Sequence, residues 1–185
     1  MINLLRAQTA THHHGLESGL RIQERLSGAD TRGPLIAGYN RFYSKCEAAL
    51  EPHLWDISDL TFSFRFRSRK IPGTAELACR GNPWIDLSIP SIGTKAKALG
   101  AMYVLEGSTL GGKTILKTLS RHGVATEGLH FLDPYGKDAG ALWRAFVHVL
   151  ERETESDQTA RNECVSGAMD AFTFAAVCLR EEGTN

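Results

Sequence analysis

The run GSTLGGKT at residues 107–114 constrains the fold most, because it has two incompatible interpretations. It matches the phosphate-loop pattern GxxxxGK[ST], in which backbone amides and a lysine hold phosphates and a Ser or Thr binds Mg²⁺. Such a loop requires a preceding strand within a βαβ unit. The preceding residues, TKAKALGAMYVLEG, are rich in Ala, Leu and Lys, which favours a helix. We therefore expect a single helix over residues 94–120, with the nucleotide-binding loop as the less favoured alternative.

The rest of the chain also favours helices. Apolar residues at helical spacing predict four further helices, over residues 3–26, 34–55, 138–154 and 157–181. Pro34 is expected near the start of the second of these. The segment FSFRFR at 62–67 alternates apolar and basic residues, which is a strand-like period. A short helix over 74–80 and a turn at 81–83 are expected next. The pattern as a whole predicts an all-α protein, with residues 1–185 forming one domain.

Composition restricts the function classes. The chain has 185 residues, 42% hydrophobic and 23% charged, which suits a globular domain with its own core. Lys plus Arg and Asp plus Glu both number 21, and the resulting zero net charge argues against nucleic-acid binding. With no apolar run of about 20 residues and no signal-peptide pattern, we expect a cytoplasmic protein with no membrane partner. Four cysteines without CxxC spacing are expected to be small apolar fillers: Cys46, Cys79, Cys164 and Cys178.

The predicted helix over 94–120 carries a face of small residues. Residues three or four apart fall on this one face, namely Gly100, Tyr103, Gly107, Gly111 and Thr114. A glycine inside a helix costs about 1 kcal/mol relative to alanine, so the face needs a compensating use. Glycine allows the backbone to approach another object closely. That object is either a second helix or a flat ligand.

Three consecutive histidines at residues 12–14 lie on the first predicted helix. His13 follows Thr9 by four residues and so lies on the apolar stripe of that helix, while His12 is nearly as well placed. A buried neutral imidazole facing a glycine-lined helix is a candidate iron ligand. Arg6 lies seven residues before His13 on the same face, where it can meet an anionic group. Spacing alone leaves the choice among the histidines open.

Several segments resemble the haem oxygenase family, in particular its bacterial biliverdin-producing branch. LGAMYVLEGSTLGG at 99–112 is similar to the family's distal-helix signature. LLRAQTATHHHGLE at 4–17 is similar to the N-terminal LRxxTxxxHxxLE pattern, whose histidine is the proximal haem ligand. Weaker similarities cover 131–146 and 168–176, so the resemblance spans nearly the whole chain. The register of the N-terminal pattern selects His13 over its two neighbours.

The resemblance implies a helical bundle of the haem oxygenase type, with haem between the N-terminal proximal helix and the glycine-rich distal helix. It implies that His13 binds the iron and that Arg6 and Tyr103 contact the haem propionates. The distal catalytic side would consist of Gly107, Ser108 and Gly111. Mammalian members carry an aspartate where this chain has Ser108, whereas bacterial members can have a serine there.

The implied reaction is the oxidative cleavage of haem, both cofactor and substrate, to biliverdin, CO and iron. The reaction uses O₂ and electrons. Because the chain carries no GxGxxG pattern of its own, the electrons are expected from a separate ferredoxin or reductase. A bilin-binding photoreceptor is a candidate recipient of the product. Three alternatives stay open: a non-catalytic haem-binding protein of the same fold, a phosphate-loop nucleotide-binding protein, and a helical protein whose glycine face packs against a partner helix.

Overall fold

The computed structural model describes residues 1–73, 89, 91–155 and 157–180. Within these residues the regular structure is helical and no β-strand occurs, which confirms the all-α prediction. The described part contains six α-helices: α1 (Ile2–Leu20), α2 (Ile22–Ser27), α3 (Ala29–Leu54), α4 (Lys95–Arg121), α5 (Ala139–Thr154) and α6 (Gln158–Leu179). Short 3₁₀ turns lie at Phe62–Arg65, Ser68–Lys70, His130–Leu132 and Gly136–Asp138. The helix and turn expected over 74–83 lie outside the described residues.

The first predicted helix is interrupted, so the prediction of one continuous helix over residues 3–26 is wrong. Arg21 adopts a left-handed conformation with φ 43° and ψ 45°, which breaks the helical hydrogen-bond ladder between α1 and α2. The bend directs α2 towards the end of α6, where Nη1 of Arg25 donates to the carbonyl of Leu179 at 2.5 Å. This bond satisfies a carbonyl that a helix terminus leaves without a partner.

The second predicted helix begins earlier than expected. α3 starts at Ala29, so Pro34 lies inside the helix rather than near its first position. The helix tolerates this proline because only one intrahelical hydrogen bond, the one to the carbonyl of Asp30, loses its donor. Pro52 lies inside the last turn in the same way.

The segment FSFRFR does not form a strand. Phe62–Arg65 is a 3₁₀ turn, and burial does not follow the alternation, because Phe62 and Phe66 are buried together with two basic residues. Arg65 and Arg67 are buried, whereas the side chain of Phe64 is 56% exposed. The two guanidinium groups enter the core because a buried carboxylate on α4, Glu106, pairs with both of them.

The central contact of the fold is between α4 and α6. A Cβ added at Gly100 would overlap the backbone carbonyl of Cys164 on α6, and one added at Gly167 would overlap the carbonyl of Lys97 on α4. These two glycines therefore let the two helix backbones touch. For Gly100, the use of the small side chain is helix packing and not ligand contact.

The last two helices agree with the sequence prediction. Their apolar faces are buried in the core, through residues Phe146, Val149, Leu150, Phe172, Phe174 and Leu179. The cysteines Cys46, Cys164 and Cys178 are buried free thiols, as predicted, and Cys79 lies outside the described residues. Among the described helices, none is long and apolar enough to cross a bilayer.

The contact at Gly100 predicts a large effect of a single methyl group. Gly100→Ala should lower the free energy of unfolding by about 1–3 kcal/mol, because α4 and α6 must separate to admit the Cβ. Gly15→Ala is the matched control on α1, where no heavy atom lies within 4 Å of the added Cβ. This control should be stabilising by up to about 1 kcal/mol through helix propensity. Urea denaturation followed by circular dichroism measures both, and equal stabilities of the two variants would contradict the proposed packing.

Candidate active site

A cavity of about 690 Å³ lies between α1 and α4. This volume falls within the roughly 300–1,000 Å³ typical of ligand pockets. Most of the lining side chains are apolar or aromatic, and the aromatic ones are Tyr39, Phe42, Tyr43, Tyr103, Trp143 and Phe172. The cavity is therefore suited to a large, mainly apolar ligand.

The structure brings together all six residues that the sequence singled out for a site. The cavity lining contains Arg6, His13, Tyr103, Gly107, Ser108 and Gly111. They come from two helices, α1 and α4, that are far apart in the chain. The structure places them around one space, and their individual roles stay predictions.

Gly107 and Gly111 expose the backbone of α4 to the cavity. A Cβ built on either glycine would have no heavy atom within 4 Å. Neither glycine is therefore needed for protein packing. Because the two residues are four apart on one helix, they form a strip of bare backbone along one wall of the cavity.

The single glycine face predicted for α4 is divided between two uses. Gly100 packs against α6, as described above. An added Cβ at Gly112 would overlap the backbone carbonyl of Leu132, so this glycine also serves packing. Thr114 is exposed and does not line the cavity. The helix-packing interpretation thus holds for Gly100 and Gly112, and the open strip consists of Gly107 and Gly111 alone.

The nucleotide-binding interpretation of GSTLGGKT is wrong. A phosphate loop binds its ligand through backbone N–H groups that have no other partner. Residues 107–114 lie in the interior of α4, where backbone N–H groups bond to carbonyls four residues earlier. Lys113 and Thr114 are exposed on the helix surface. The loop needed to hold a phosphate is absent from this part of the described chain.

His13 lines the cavity, but it is not buried as the sequence analysis expected. Its side chain is 56% exposed and faces the cavity. Its Nδ1 lies 3.4 Å from Oε2 of Glu17, one turn along α1. Its ring meets Phe172 of α6 edge-on, with ring centroids 5.9 Å apart. Of its neighbours, His14 lines the cavity and His12 does not.

The contact between His13 and Glu17 orients the imidazole. A carboxylate beside Nδ1 is the usual way in which proteins fix a metal-binding histidine, and it leaves Nε2 for the ligand. Glu17 also lines the cavity. The sequence contains this signal, since Glu17 follows His13 by the four residues that place side chains together on a helix.

Ser108 connects the cavity to the interior of the protein. Its Oγ donates to the carbonyl of Leu105 at 2.7 Å and lies 3.3 Å from the hydroxyl of Tyr43 on α3. Burial raises the pKa of Tyr43 above its usual value, so this side chain is a neutral phenol at neutral pH. The hydroxyl of Ser108 is thus supported by a second, buried hydroxyl.

A buried charge cluster lies beside the cavity, and the sequence analysis missed it. Its members, called the buried charge cluster below, are Glu47, Arg65, Arg67, Glu106 and Tyr135. Oε2 of Glu106 lies 2.8 Å from Nη1 of Arg65, and Oε1 lies 3.1 Å from Nη2 of Arg67. The hydroxyl of Tyr135 donates to Oε1 of Glu106 at 2.9 Å.

A signal for this cluster exists in the sequence. Glu106 falls at helical spacing with three residues that are all buried on α4, namely Leu99, Met102 and Thr109. A carboxylate on a core-facing stripe requires a buried partner, because an unpaired buried charge costs several kcal/mol. The identity of that partner, two arginines from a segment about 40 residues earlier, cannot be inferred from spacing.

Glu47 holds the segment that carries these arginines. Its carboxylate accepts hydrogen bonds from the backbone N–H of Arg67 at 2.5 Å and from the hydroxyl of Ser68 at 2.5 Å. Burial raises the pKa of Glu47, and the hydrogen bonds from Ser68 and Arg67 oppose that rise. The carboxylate therefore anchors α3 to the chain at residues 67–68.

These observations define the class of protein: a helical protein in which a histidine-bearing helix and a strip of bare helix backbone face one apolar cavity. Residues 88–181 match the family model described as heme oxygenase. The chain is also 31% identical over 158 residues, 83% of this chain and 92% of the relative, to a protein of Xanthomonas campestris pv. campestris (strain 8004) named heme oxygenase. The chain belongs to the haem oxygenase family.

The pKa of Glu47 predicts a pH dependence of stability. Because the pKa is raised in the folded protein, the folded state binds more protons than the unfolded state between the two pKa values. Stability from this group is present at pH values below the unfolded pKa and is lost as the pH rises through the folded one. Glu47→Gln keeps an oxygen acceptor but does not titrate. We expect the stability of this variant relative to the wild type to increase as the pH rises above about 4.

Urea denaturation at a series of pH values measures this difference. Glu51→Gln, at an exposed position one turn further along α3, is the matched control and should give a curve parallel to the wild type. A Glu47→Gln curve that is also parallel to the wild type would show that Glu47 titrates alike in the folded and unfolded states.

Proposed function

We propose that this chain is a haem oxygenase that cleaves haem to biliverdin, CO and iron, using O₂ and electrons from a separate donor. The observation that carries the proposal is the cavity in which His13 faces the bare backbone strip of Gly107 and Gly111. No Cβ projects from these glycines, so a flat ring can lie against α4. The match to the heme oxygenase family model and the named relative support the same reaction class.

The proximal side of the proposed site is built on α1. His13 binds the iron, because a neutral imidazole is a common iron ligand and Glu17 engages its other ring nitrogen. Phe172 packs against the ring of His13 and limits its rotation. The exposure of His13 in this structure leaves it accessible to a ligand in the cavity.

The distal side is built on α4. Gly107 and Gly111 allow the helix backbone to contact the porphyrin face, which leaves no side chain to occupy the space above the iron. When bound, haem supplies both the iron that activates O₂ and the porphyrin carbon that is oxidised. Ser108 holds its hydroxyl beside this space, where it positions water and protons for the reaction. These three residues are the catalytic side of the proposed site.

Arg6 and Tyr103 fix the orientation of the ring in the cavity plane. Arg6 is exposed on α1, and Tyr103 is half-buried on α4 with its ring 6.2 Å from that of Trp143. We assign both to the propionates, because a guanidinium and a phenol bind a carboxylate with directional hydrogen bonds. The orientation of the ring decides which porphyrin carbon faces the distal side.

The proposal also includes partners and a location. The electrons come from a ferredoxin or a reductase, and a bilin-binding photoreceptor is a candidate recipient of biliverdin. We place the enzyme in the cytoplasm and treat residues 1–185 as one haem oxygenase-like domain.

A second candidate function is a non-catalytic haem-binding protein of the same fold. The observation that favours it is the hydrogen bond from Ser108 to the carbonyl of Leu105, which occupies the only hydroxyl proton of this residue. If Ser108 donates its only proton to Leu105, that proton does not reach a ligand in the cavity. This arrangement suits haem binding better than haem cleavage. The two candidates differ in whether bound haem is consumed.

A haemin titration followed by reduction tests both functions. We expect a saturable Soret band with one equivalent of haemin. On addition of ascorbate under air with catalase present, the band should decay as a biliverdin spectrum appears. A Soret band that persists under reductant would support the non-catalytic candidate. The absence of a saturable Soret change would contradict both.

The assignment of His13 predicts the effect of its removal. His13→Ala should abolish the nitrogen axial ligation seen by electron paramagnetic resonance of the ferric complex. Haemin affinity should fall by more than the 10–100-fold typical for loss of a ligand's hydrogen-bond partner. His12→Ala and His14→Ala are the matched controls on the same turn and should keep the axial signal. Retention of the signal in His13→Ala and its loss in a control would assign the ligand to that neighbour.

A further inference from the structure

Arg67 is a fully buried arginine whose hydrogen bonds are unevenly distributed. Its side chain is 1% exposed, and Nη2 makes all of its side-chain hydrogen bonds, to Glu106, Thr109 and Tyr135. Within the described structure, Nε and Nη1 are buried with no hydrogen-bond partner. An arginine has five N–H donors in a rigid fork, so this placement does not maximise its hydrogen bonding.

The guanidinium of Arg67 also lies over two tyrosine rings. The central carbon of its guanidinium lies 5.5 Å from the ring centroid of Tyr43 and 5.6 Å from that of Tyr135. A cation over an aromatic face is attracted by the ring and draws electron density from it. Burial raises the pKa of Tyr43, and the charge of Arg67 is the largest influence that opposes this rise. The phenol of Tyr43 is therefore made a stronger hydrogen-bond donor.

The hydroxyl of Tyr43 leads to the cavity. It lies 3.3 Å from Oγ of Ser108, which itself donates to the carbonyl of Leu105. A serine hydroxyl has one proton and two lone pairs. Since Ser108 donates that proton to the carbonyl of Leu105, a hydrogen bond between Ser108 and Tyr43 requires Tyr43 to donate and Ser108 to accept.

The direction of this hydrogen bond matters for a ligand in the cavity. With Tyr43 as donor, Ser108 can rotate its proton from Leu105 to a ligand without losing its bond to Tyr43. With Tyr43 as acceptor, turning the single proton of Ser108 towards a ligand would break the hydrogen bond to Tyr43. Without that turn, a bound ligand would face only lone pairs of Ser108.

We propose that Arg67 is a positioning residue for the candidate active site: its buried charge holds Tyr43 as the donor to Ser108, which leaves the Ser108 proton available to a distal ligand. Arg67 does not line the cavity, and it acts only through these two hydroxyl groups. The inference rests on the proposed function, because its readout requires a haem complex.

Arg65 provides a matched control. It is also buried and also pairs with Glu106, at 2.8 Å. Its remaining donors go to the carbonyls of Leu60 and Leu142, and no stacking on Tyr43 is observed in the described structure. Removing Arg65 therefore removes an equal buried charge without removing the cation over Tyr43.

The experiment measures the C–O stretching frequency of the ferrous haem complex with carbon monoxide as the probe ligand. A hydrogen-bond donor near the oxygen of CO lowers this frequency. Arg67→Gln should raise it, Arg67→Lys should restore it towards the wild-type value, and Arg65→Gln should leave it unchanged. Tyr43→Phe alone should also raise it, because a Ser108 hydroxyl that no longer accepts a hydrogen bond from Tyr43 is a weaker donor to CO. Haemin affinity should be unchanged in Arg67→Gln.

A double-mutant cycle separates positioning from a general structural effect. In the Tyr43→Phe background, Arg67→Gln should cause no further rise, because its route to Ser108 is already broken. Additive shifts, or a rise with Arg65→Gln equal to that with Arg67→Gln, would overturn the inference. If no variant and no wild-type protein forms a haem complex, the proposed function has failed instead.

Folding of the variants is checked by circular dichroism and thermal melting. Arg67→Gln leaves Glu106 paired with Arg65 and Tyr135, so the buried carboxylate keeps partners. If Arg67→Gln does not fold, the triple variant Arg65→Met, Arg67→Met and Glu106→Gln takes its place. This variant removes all three charges of the buried triad together, so none is left without a partner, and such a replacement is often neutral for stability. The same rise in frequency is expected, and an unchanged frequency would contradict the proposal.

Discussion

The carboxylate of Glu106 is the interaction on which the geometry around the cavity depends. It brings two arginines from residues 62–70 into the core and holds them against the inner side of α4. Removing one partner of such a buried pair typically costs about 3–5 kcal/mol, because the other charge is left without compensation. Glu106 directly precedes Gly107, so the charges that anchor α4 lie one residue from the backbone strip that faces the cavity. The anchoring of α4 in the core and its bare backbone at the cavity therefore lie on the same turn of the helix.

Close backbone approach is used twice on α4, for different purposes. At Gly100 and Gly112 the missing side chain admits another part of the protein, and this sets how deeply α4 sits in the core. At Gly107 and Gly111 nothing fills the space, and a cavity results. Glycine thus both allows α4 to pack closely in the core and leaves part of the α4 backbone bare at the cavity. The cost of glycine in a helix is offset at the first pair by packing, and at the second pair the proposed ligand would offset it.

The two sides of the cavity differ in how firmly they are built. The side on α4 is supported by buried charges, by Tyr43 and by packing against α6. The side on α1 is open, with an exposed His13 that is oriented by a carboxylate and one aromatic ring. A well-supported wall on α4 and an accessible His13 on α1 suit the proposed function, in which a large flat molecule enters the cavity and a product of different shape leaves it.

Much of this could be predicted from the sequence, because helical periodicity and local spacing are properties of neighbouring residues. Local signals predicted the helices near residues 94–120, 138–154 and 157–181. The family resemblance indicated that the segments at 4–17 and 99–112 share a cavity. Spacing also predicted one glycine face and a buried histidine. Both predictions were wrong, because what lies opposite a helix face is set by elements far away in the chain.

The sequence by itself therefore determined that the protein is helical, and its family resemblance indicated six of the residues that line the cavity. Only the tertiary structure decided which glycines pack and which remain open, and that the basic residues of FSFRFR lie inside while Phe64 lies outside. The physical reason is that the burial of a charge depends on its partner. Arg65 and Arg67 are buried because Glu106 meets them across about 40 residues of chain, and no local pattern records that meeting.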